Sequence, residues 1–179
     1  MSKKSIYIGK NKLQVSEDLV QGNYVELDGE IFYKISNYHK MIPFFMSIVS
    51  GSDHWMFISS NGGLSAGRTN SNNALFPYYT DDKITESIDN TGCKTLLLAT
   101  KEDKTYLWEP FADESGKVYK IKRNLYKSIY GNKIIFEEVN FDLEVSFQYG
   151  WYNSEKFGWI RKSSIHNQSK TIAKIEITD

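Results

Sequence analysis

Residues 138–149 read EVNFDLEVSFQY. Val139, Phe141, Leu143, Val145, Phe147 and Tyr149 alternate without a break with Glu138, Asn140, Asp142, Glu144, Ser146 and Gln148. A strand points successive side chains to opposite faces, whereas a helix repeats its apolar face at a spacing of about 3.6 residues. The alternation therefore predicts one long strand over Glu138–Tyr149, buried on its apolar side and wet on the other.

Working outward, the same chemistry predicts strands over Ile6–Ile8, Tyr24–Leu27, Ile31–Ser36, Phe45–Ser50, Trp55–Ser59, Thr95–Thr100, Thr105–Pro110, Tyr119–Arg123, Leu125–Tyr130, Lys133–Phe136 and Ile172–Thr178. Asp28-Gly29, Ser50-Gly51, Glu114-Ser115-Gly116 and Gly131-Asn132 supply the turns between them. The expected fold is all-β, an antiparallel β-sandwich with at most one or two short helices. The best helix runs from a Thr80-Asp81-Asp82 cap through Lys83, Ile84 and Glu86 to Ile88, and stops at Asn90-Thr91-Gly92.

The 179 residues suit one domain with its own core. Twenty-two basic side chains balance 22 acidic ones, so no overall field steers the chain toward nucleic acid or an anionic membrane, and neither is expected as a partner. Cys93 is the single cysteine, which excludes an intrachain disulfide, favours a reducing compartment and leaves a packing role at the start of the apolar run Thr95–Ala99. The start MSKKSIYIGKNK has no apolar segment of signal-peptide length, and no later segment approaches a membrane span. A cytoplasmic location is expected. Lys170–Asp179 reads as a strand that stops where the chain stops, so the sequence is expected to be the amino-terminal portion of a longer protein.

The candidate site lies in His54–Ile84, where the strand HWMFIS runs into a polar, glycine-bearing stretch expected to be a loop. Asn61, Gly62, Gly63 and Arg68 offer backbone amides, a planar side-chain amide and a guanidinium, and Tyr78 and Tyr79 add aromatic faces. Amides meet sugar hydroxyls, a guanidinium fork meets anions, and rings stack on sugar C–H faces. The competing reading is an irregular hairpin loop whose glycines take positive φ, with Arg68 paired to Asp81 or Asp82. Asp81 and Asp82 are candidate ligand contacts, but sequence neighbours point apart, so capping and turn formation outweigh acid–base chemistry for them. Tyr149–Trp159 brings Trp151 and Trp159 around polar residues, where exposed rings would stack on sugars and buried ones would be hairpin pairs; burial of one of the two is expected.

Other chemistries lack their patterns. No Lys-Ser or Lys-Thr follows the glycines at phosphate-loop spacing. His39, His54 and His166 have no metal-ligand spacing, and Cys93 has no local activating partner, so no metal, cofactor or catalytic residue is assigned. Mutarotase-type isomerisation would need a His and a Glu converging on one sheet face.

The loop Asn61-Gly62-Gly63-Leu64-Ser65-Ala66-Gly67-Arg68 after HWMFIS, and the run from Ile134 to Arg161-Lys162-Ser163-Ser164-Ile165-His166-Asn167-Gln168-Ser169, resemble the amino-terminal β-sandwich of cellobiose phosphorylase-type glycoside phosphorylases. The ending looks like the Asn-x-Ser turn that this family places between two long strands. The resemblance covers about two-thirds of the chain and includes no specific catalytic motif. It implies a galactose-mutarotase-like super-sandwich that supports a separate helical-barrel catalytic domain, dimerises, and lends a loop to a sugar site that also takes phosphate. The family's general acid has no counterpart here. The resemblance thus implies a non-catalytic module whose partners are a carboxyl-terminal catalytic domain, a second copy as homodimer, and a carbohydrate with phosphate in the full protein. The alternative is an independent carbohydrate-binding or protein-interaction sandwich.

Overall fold

The computed structural model describes residues 5–13, 18–76, 80–101 and 103–179. Along the chain lie β1 (Tyr7–Ile8), β2 (Asn11–Lys12), β3 (Gln21–Leu27), β4 (Glu30–Ser36), β5 (Phe45–Ile48), β6 (His54–Ser59) and β7 (Leu64–Arg68). Then come α1 (Asp81–Glu86), α2 (Ile88–Thr91), β8 (Leu96–Lys101), β9 (Lys104–Trp108) and α3 (Asp113–Val118). The last third holds β10 (Ile121–Ser128), β11 (Lys133–Asn140), β12 (Val145–Ser154), β13 (Gly158–Asn167) and β14 (Lys174–Thr178). The fold is all-β and every strand pairing described is antiparallel.

A six-stranded sheet runs β13-β12-β11-β10-β4-β3, and two three-stranded sheets run β14-β8-β9 and β5-β6-β7. All three sheets feed one apolar cluster: Ile48, Met56, Ile58 and Leu64 from one, Leu97, Ala99 and Trp108 from another, and Leu125, Phe136, Phe147 and Tyr149 from the large sheet. That shared core makes the arrangement sandwich-like. The opposite face of the large sheet carries a small cluster of Phe32, Tyr126 and Ile135.

Three of the four expected hairpin turns form, at Asp28-Gly29, Ser50-Gly51 and Gly131-Asn132. Asp28 and Gly29 both hold positive φ, 51° and 78°, the geometry a two-residue turn needs between right-twisted strands. Tyr119–Arg123 and Leu125–Tyr130, expected as two strands, are one, β10.

Glu138–Tyr149 is not one strand. It breaks after Asn140, reverses through Phe141–Glu144, and resumes at Val145, so that Asn140 pairs with Val145 across a hairpin. Asn140 Oδ1 accepts from Asp142 N at 3.1 Å and from Leu143 N at 3.0 Å, a side-chain-braced turn, and Glu144 closes it at φ 53°. Across the reversal the inward face changes parity. In β12 the inward residues are Val145, Phe147 and Tyr149, as the alternation implied; in β11 they are Ile134, Phe136, Glu138 and Asn140, so two polar residues expected to be wet are buried.

Two further expectations change. The stretch after HWMFIS is a tight turn at Ser60–Gly63 followed by a strand, β7, rather than a long loop. Its Leu-Ser-Ala-Gly residues have weak strand preference, but the pairing with β6 and the close approach of the chain at Asn73–Ala74 demand small side chains. A Cβ on Gly67 would lie 2.5 Å from the Trp55 ring and 2.7 Å from Asn73 O. Among the described residues the short α-helices are three rather than one or two: Ser87 interrupts the expected one into α1 and α2, and Asp113–Val118, expected to contain a hairpin turn, is α3. Among the described residues no helix is long and apolar enough to cross a membrane.

Candidate functional site

A cleft of about 480 Å³ opens in the surface of the protein. Four segments build it: the 3-10 turn Tyr38–Lys40 after β4, the β6–β7 turn at Ser60–Asn61, the segment from α2 to Lys94, and the Glu109–Glu114 loop leading into α3. Arg123 of β10 and Tyr149 of β12 reach it from the large sheet.

The Glu109–Glu114 wall is fixed by the most buried charge in the protein. Glu138, fully buried on β11, accepts from Trp108 Nε1 at 2.8 Å, from Phe111 N at 2.8 Å and from Arg123 Nε at 2.6 Å. Arg123 also donates through Nη2 to Ala112 O at 2.7 Å and lies 3.6 Å from Asp113. A buried carboxylate with three donors and a paired guanidinium satisfies the charge that burial would otherwise penalise. Phe111 sits at φ 70°, a left-handed conformation that is strained for an aromatic residue. Its amide is held by Glu138 and its ring packs edge-on against Phe136, Phe147 and Tyr149, which together hold the strained turn.

Tyr38 and Tyr149 form the cleft's inner end. They are 5% and 3% exposed and both pack on Phe136, Tyr149 stacked at 4.9 Å and Tyr38 edge-on at 6.1 Å. Both line the cleft, and neither hydroxyl has a hydrogen-bond partner among the described residues. Burial, the main cause, raises both phenols above the ordinary tyrosine range, so they stay protonated. His39 lines the same cleft with a buried Nδ1 that has no partner among the described residues. Burial, and then the nearby Arg123, lower its pKa to about 4, so the imidazole is neutral at pH 7.

At the rim, Lys94 is held by Asp89 at 3.2 Å and by Glu109 at 3.5 Å. Cys93 lies in the wall shared with a second cavity of about 300 Å³, which also touches Gly62, Phe76, Trp151, Arg161 and Asp179. Arg161 Nη2 donates to Cys93 Sγ at 2.9 Å, pairs with Asp179, and sets its guanidinium 5.2 Å from the Tyr149 ring centroid. Burial raises the Cys93 thiol despite that donor, so it rests as a neutral thiol, in keeping with a packing role.

No protein-family model matches this chain, and no curated protein matches it. The cleft is therefore read from its own chemistry.

The residues singled out in the sequence scatter. Asn61 lies in the cleft, with its amide spent on the turn: Nδ2 donates to Thr85 O at 2.8 Å and Oδ1 accepts from Gly63 N at 3.2 Å. Gly62 and Trp151 face the second cavity. Gly63 packs under α1, where a Cβ would come 2.2 Å from Ile84 O. Of the glycines at 62, 63 and 67, only Gly62 takes positive φ, 103°. Arg68 is at the far end of β7, exposed, with Asp53 at 3.8 Å as partner instead of Asp81 or Asp82. Asp81 and Asp82 are the first two residues of α1, in solvent, where their charge suits the positive end of the helix dipole, while Thr80 at the N-cap makes no side-chain capping bond; Asp81 Oδ1 accepts from Asp82 N at 3.0 Å. Trp159 is half-buried and donates to Trp55 O at 3.1 Å; Trp151 is half-buried too, while the fully buried tryptophan is Trp108. Tyr78 and Tyr79 lie outside the described residues.

Tyr38, His39, Lys94, Glu109 and Arg123 were not found from sequence. They come from four segments with no shared spacing, and only the Tyr149 alternation hinted that a polar tip would end on a buried face. Among the described residues no group of three His, Cys, Asp or Glu is placed to hold a metal ion.

Proposed function

We propose that this chain is a non-catalytic β-sandwich module of a carbohydrate-active, glycoside phosphorylase-like enzyme, and that the cleft at Tyr38 and Tyr149 holds a saccharide. The observation that carries the reading is the pair of almost fully buried tyrosines that line an open cleft and whose hydroxyls have no partner among the described residues. Both tyrosines line the cleft, and a sugar hydroxyl, which donates and accepts at once, is a fit partner for their hydroxyls. The Tyr38, Phe111 and Tyr149 rings add apolar surface for C–H faces, and the pocket falls within the usual size range of small-molecule sites. The carboxylates at the cleft are each engaged with a cation, Asp89 and Glu109 with Lys94, Asp113 and Glu138 with Arg123, and Glu114 with Lys117, which suits binding better than acid–base chemistry.

The second reading is an independent carbohydrate-binding or protein-interaction sandwich. It is favoured by an apolar groove of about 330 Å³ beside edge strand β3, lined by Tyr24, Tyr33, Ile35, Phe44, Met46 and Ile129. The same groove would serve the catalytic domain or a second copy of the chain in the module reading.

The test is an NMR titration of the 179-residue chain with neutral gluco- and galacto-configured mono- and disaccharides. Saturable shifts at Tyr38, Phe111 and Tyr149 that vanish in Tyr149→Phe support the saccharide site; absence of saturable shifts removes it. A downstream reading frame encoding several hundred residues of paired helices separates the module from the independent domain.

A further inference from the structure

Resting on the saccharide reading, we infer that this cleft selects by charge, accepting uncharged or amine-bearing sugars and rejecting phosphorylated and uronic-acid ones. The inference comes from the disposition of cations. Among the described residues the fixed positive charges lining the cleft are Lys94 and Arg123, and each is already engaged by carboxylates. Lys94 is clamped between Asp89 and Glu109. Arg123 spends Nε on Glu138, Nη2 on Ala112 O, and has Asp113 at its remaining end.

A phosphate or carboxylate is recognised best by a free guanidinium fork or an unpaired ammonium. Here an entering anion would have to displace a carboxylate and would leave that carboxylate unpaired. The surplus also runs the wrong way for it. Asp89, Glu109, Asp113 and Glu114 line the cleft and Glu138 lies directly behind Arg123, so carboxylates outnumber the two cations. His39 adds no charge near neutral pH. Arg161, beyond the Cys93 wall, is taken by Asp179. Concave, partly desolvated walls of one sign concentrate that sign's field inside, so the cleft repels anions and draws cations.

What remains for recognition is neutral: the two phenolic hydroxyls and the aromatic rings. These match sugar hydroxyls, and the acidic rim matches an ammonium in place of one of them. Phosphate expected alongside the sugar in a parent phosphorylase would then bind elsewhere.

The experiment titrates the full chain with glucose and galactose and with the 2-amino, 6-phosphate and uronic-acid forms of each, at low and at physiological salt. The neutral and amino sugars are expected to saturate. The anionic forms are expected to bind at least about tenfold more weakly at low salt, with the gap narrowing as salt screens the rim. Glu109→Gln combined with Glu114→Gln is expected to narrow the same gap, and a gap left unchanged by it counts against the charge selection. A 6-phosphate that binds as tightly as its parent sugar at low salt overturns the charge selection and leaves the saccharide site standing. Failure of every neutral and amino sugar to bind removes the saccharide site and this inference with it.

Discussion

Arg123 and Glu138 stand directly opposite one another on β10 and β11, and Arg123 Nε donates to Glu138 Oε2 at 2.6 Å with both side chains out of water. The pair ties the large sheet to the Glu109–Glu114 loop, because Glu138 also holds the Phe111 amide and Arg123 the Ala112 carbonyl.

Removing one partner strands the other. Glu138→Ala is expected to lower stability by about 3–5 kcal/mol in urea unfolding, since it leaves a buried guanidinium unpaired and frees the strained Phe111 turn. Replacing both, Arg123→Met with Glu138→Leu, is expected to cost less than the single change. A double variant less stable than Glu138→Ala would show that the pair does more than neutralise itself.

Tyr149→Phe removes a hydroxyl that has no hydrogen-bond partner among the described residues. Stability in the same assay is expected to stay within about 1 kcal/mol of the parent, because no hydrogen bond is lost. Saccharide shifts in the NMR titration are expected to disappear. Loss of stability with binding intact would assign the hydroxyl a structural role.

Gly62→Ala places a Cβ at φ 103° and 3.0 Å from the Tyr149 hydroxyl. The backbone strain is expected to lower stability by about 1–3 kcal/mol in thermal or urea unfolding. Tyr149→Phe combined with Gly62→Ala relieves the contact but not the φ, so most of the loss should remain.

Arg68→Ala removes an exposed guanidinium 3.8 Å from a half-exposed Asp53. Such pairs contribute less than about 1 kcal/mol. Neither stability nor saccharide affinity is expected to change, and a marked loss of affinity would place a ligand at the far end of β7.

His39 sets one pH response. Its pKa falls from about 6.5 when unfolded to about 4 when folded, so between those values the unfolded chain binds a proton the folded chain refuses. Its contribution is therefore full above pH 6.5 and is lost as pH falls toward 4. His39→Gln should flatten the melting temperature over that window. An unchanged slope would mean that carboxylates alone carry the acid response.

The fold class was legible because most strands show their alternation and Asp28-Gly29 and Gly131-Asn132 announce their turns. The Glu138–Tyr149 hairpin was hidden by a coincidence of parity. The four-residue reversal carries the alternation through without a skip, so the sequence looks continuous while the buried face swaps from even to odd residues. β7 was hidden because Ser65, Ala66 and Gly67 are chosen for closeness to their neighbours rather than for strand preference. The cleft was illegible for a different reason. Its groups become neighbours only when β4, the β6–β7 turn, α2 and β10–β12 are brought together, and the polar run that looked like a site spends Asn61, Gly63 and Gly67 on holding its own turn and strand.

The seam between β4 and β10 has a consequence in time. Ser36 of β4 pairs with Asn124 of β10, so roughly ninety residues separate the partners along the chain. During synthesis the β3–β4 hairpin emerges first and waits on the order of ten seconds for the strand that covers its open side. In that interval the backbone edge of β4 that β10 later pairs with is open, an unpaired strand edge of the kind that invites mispairing.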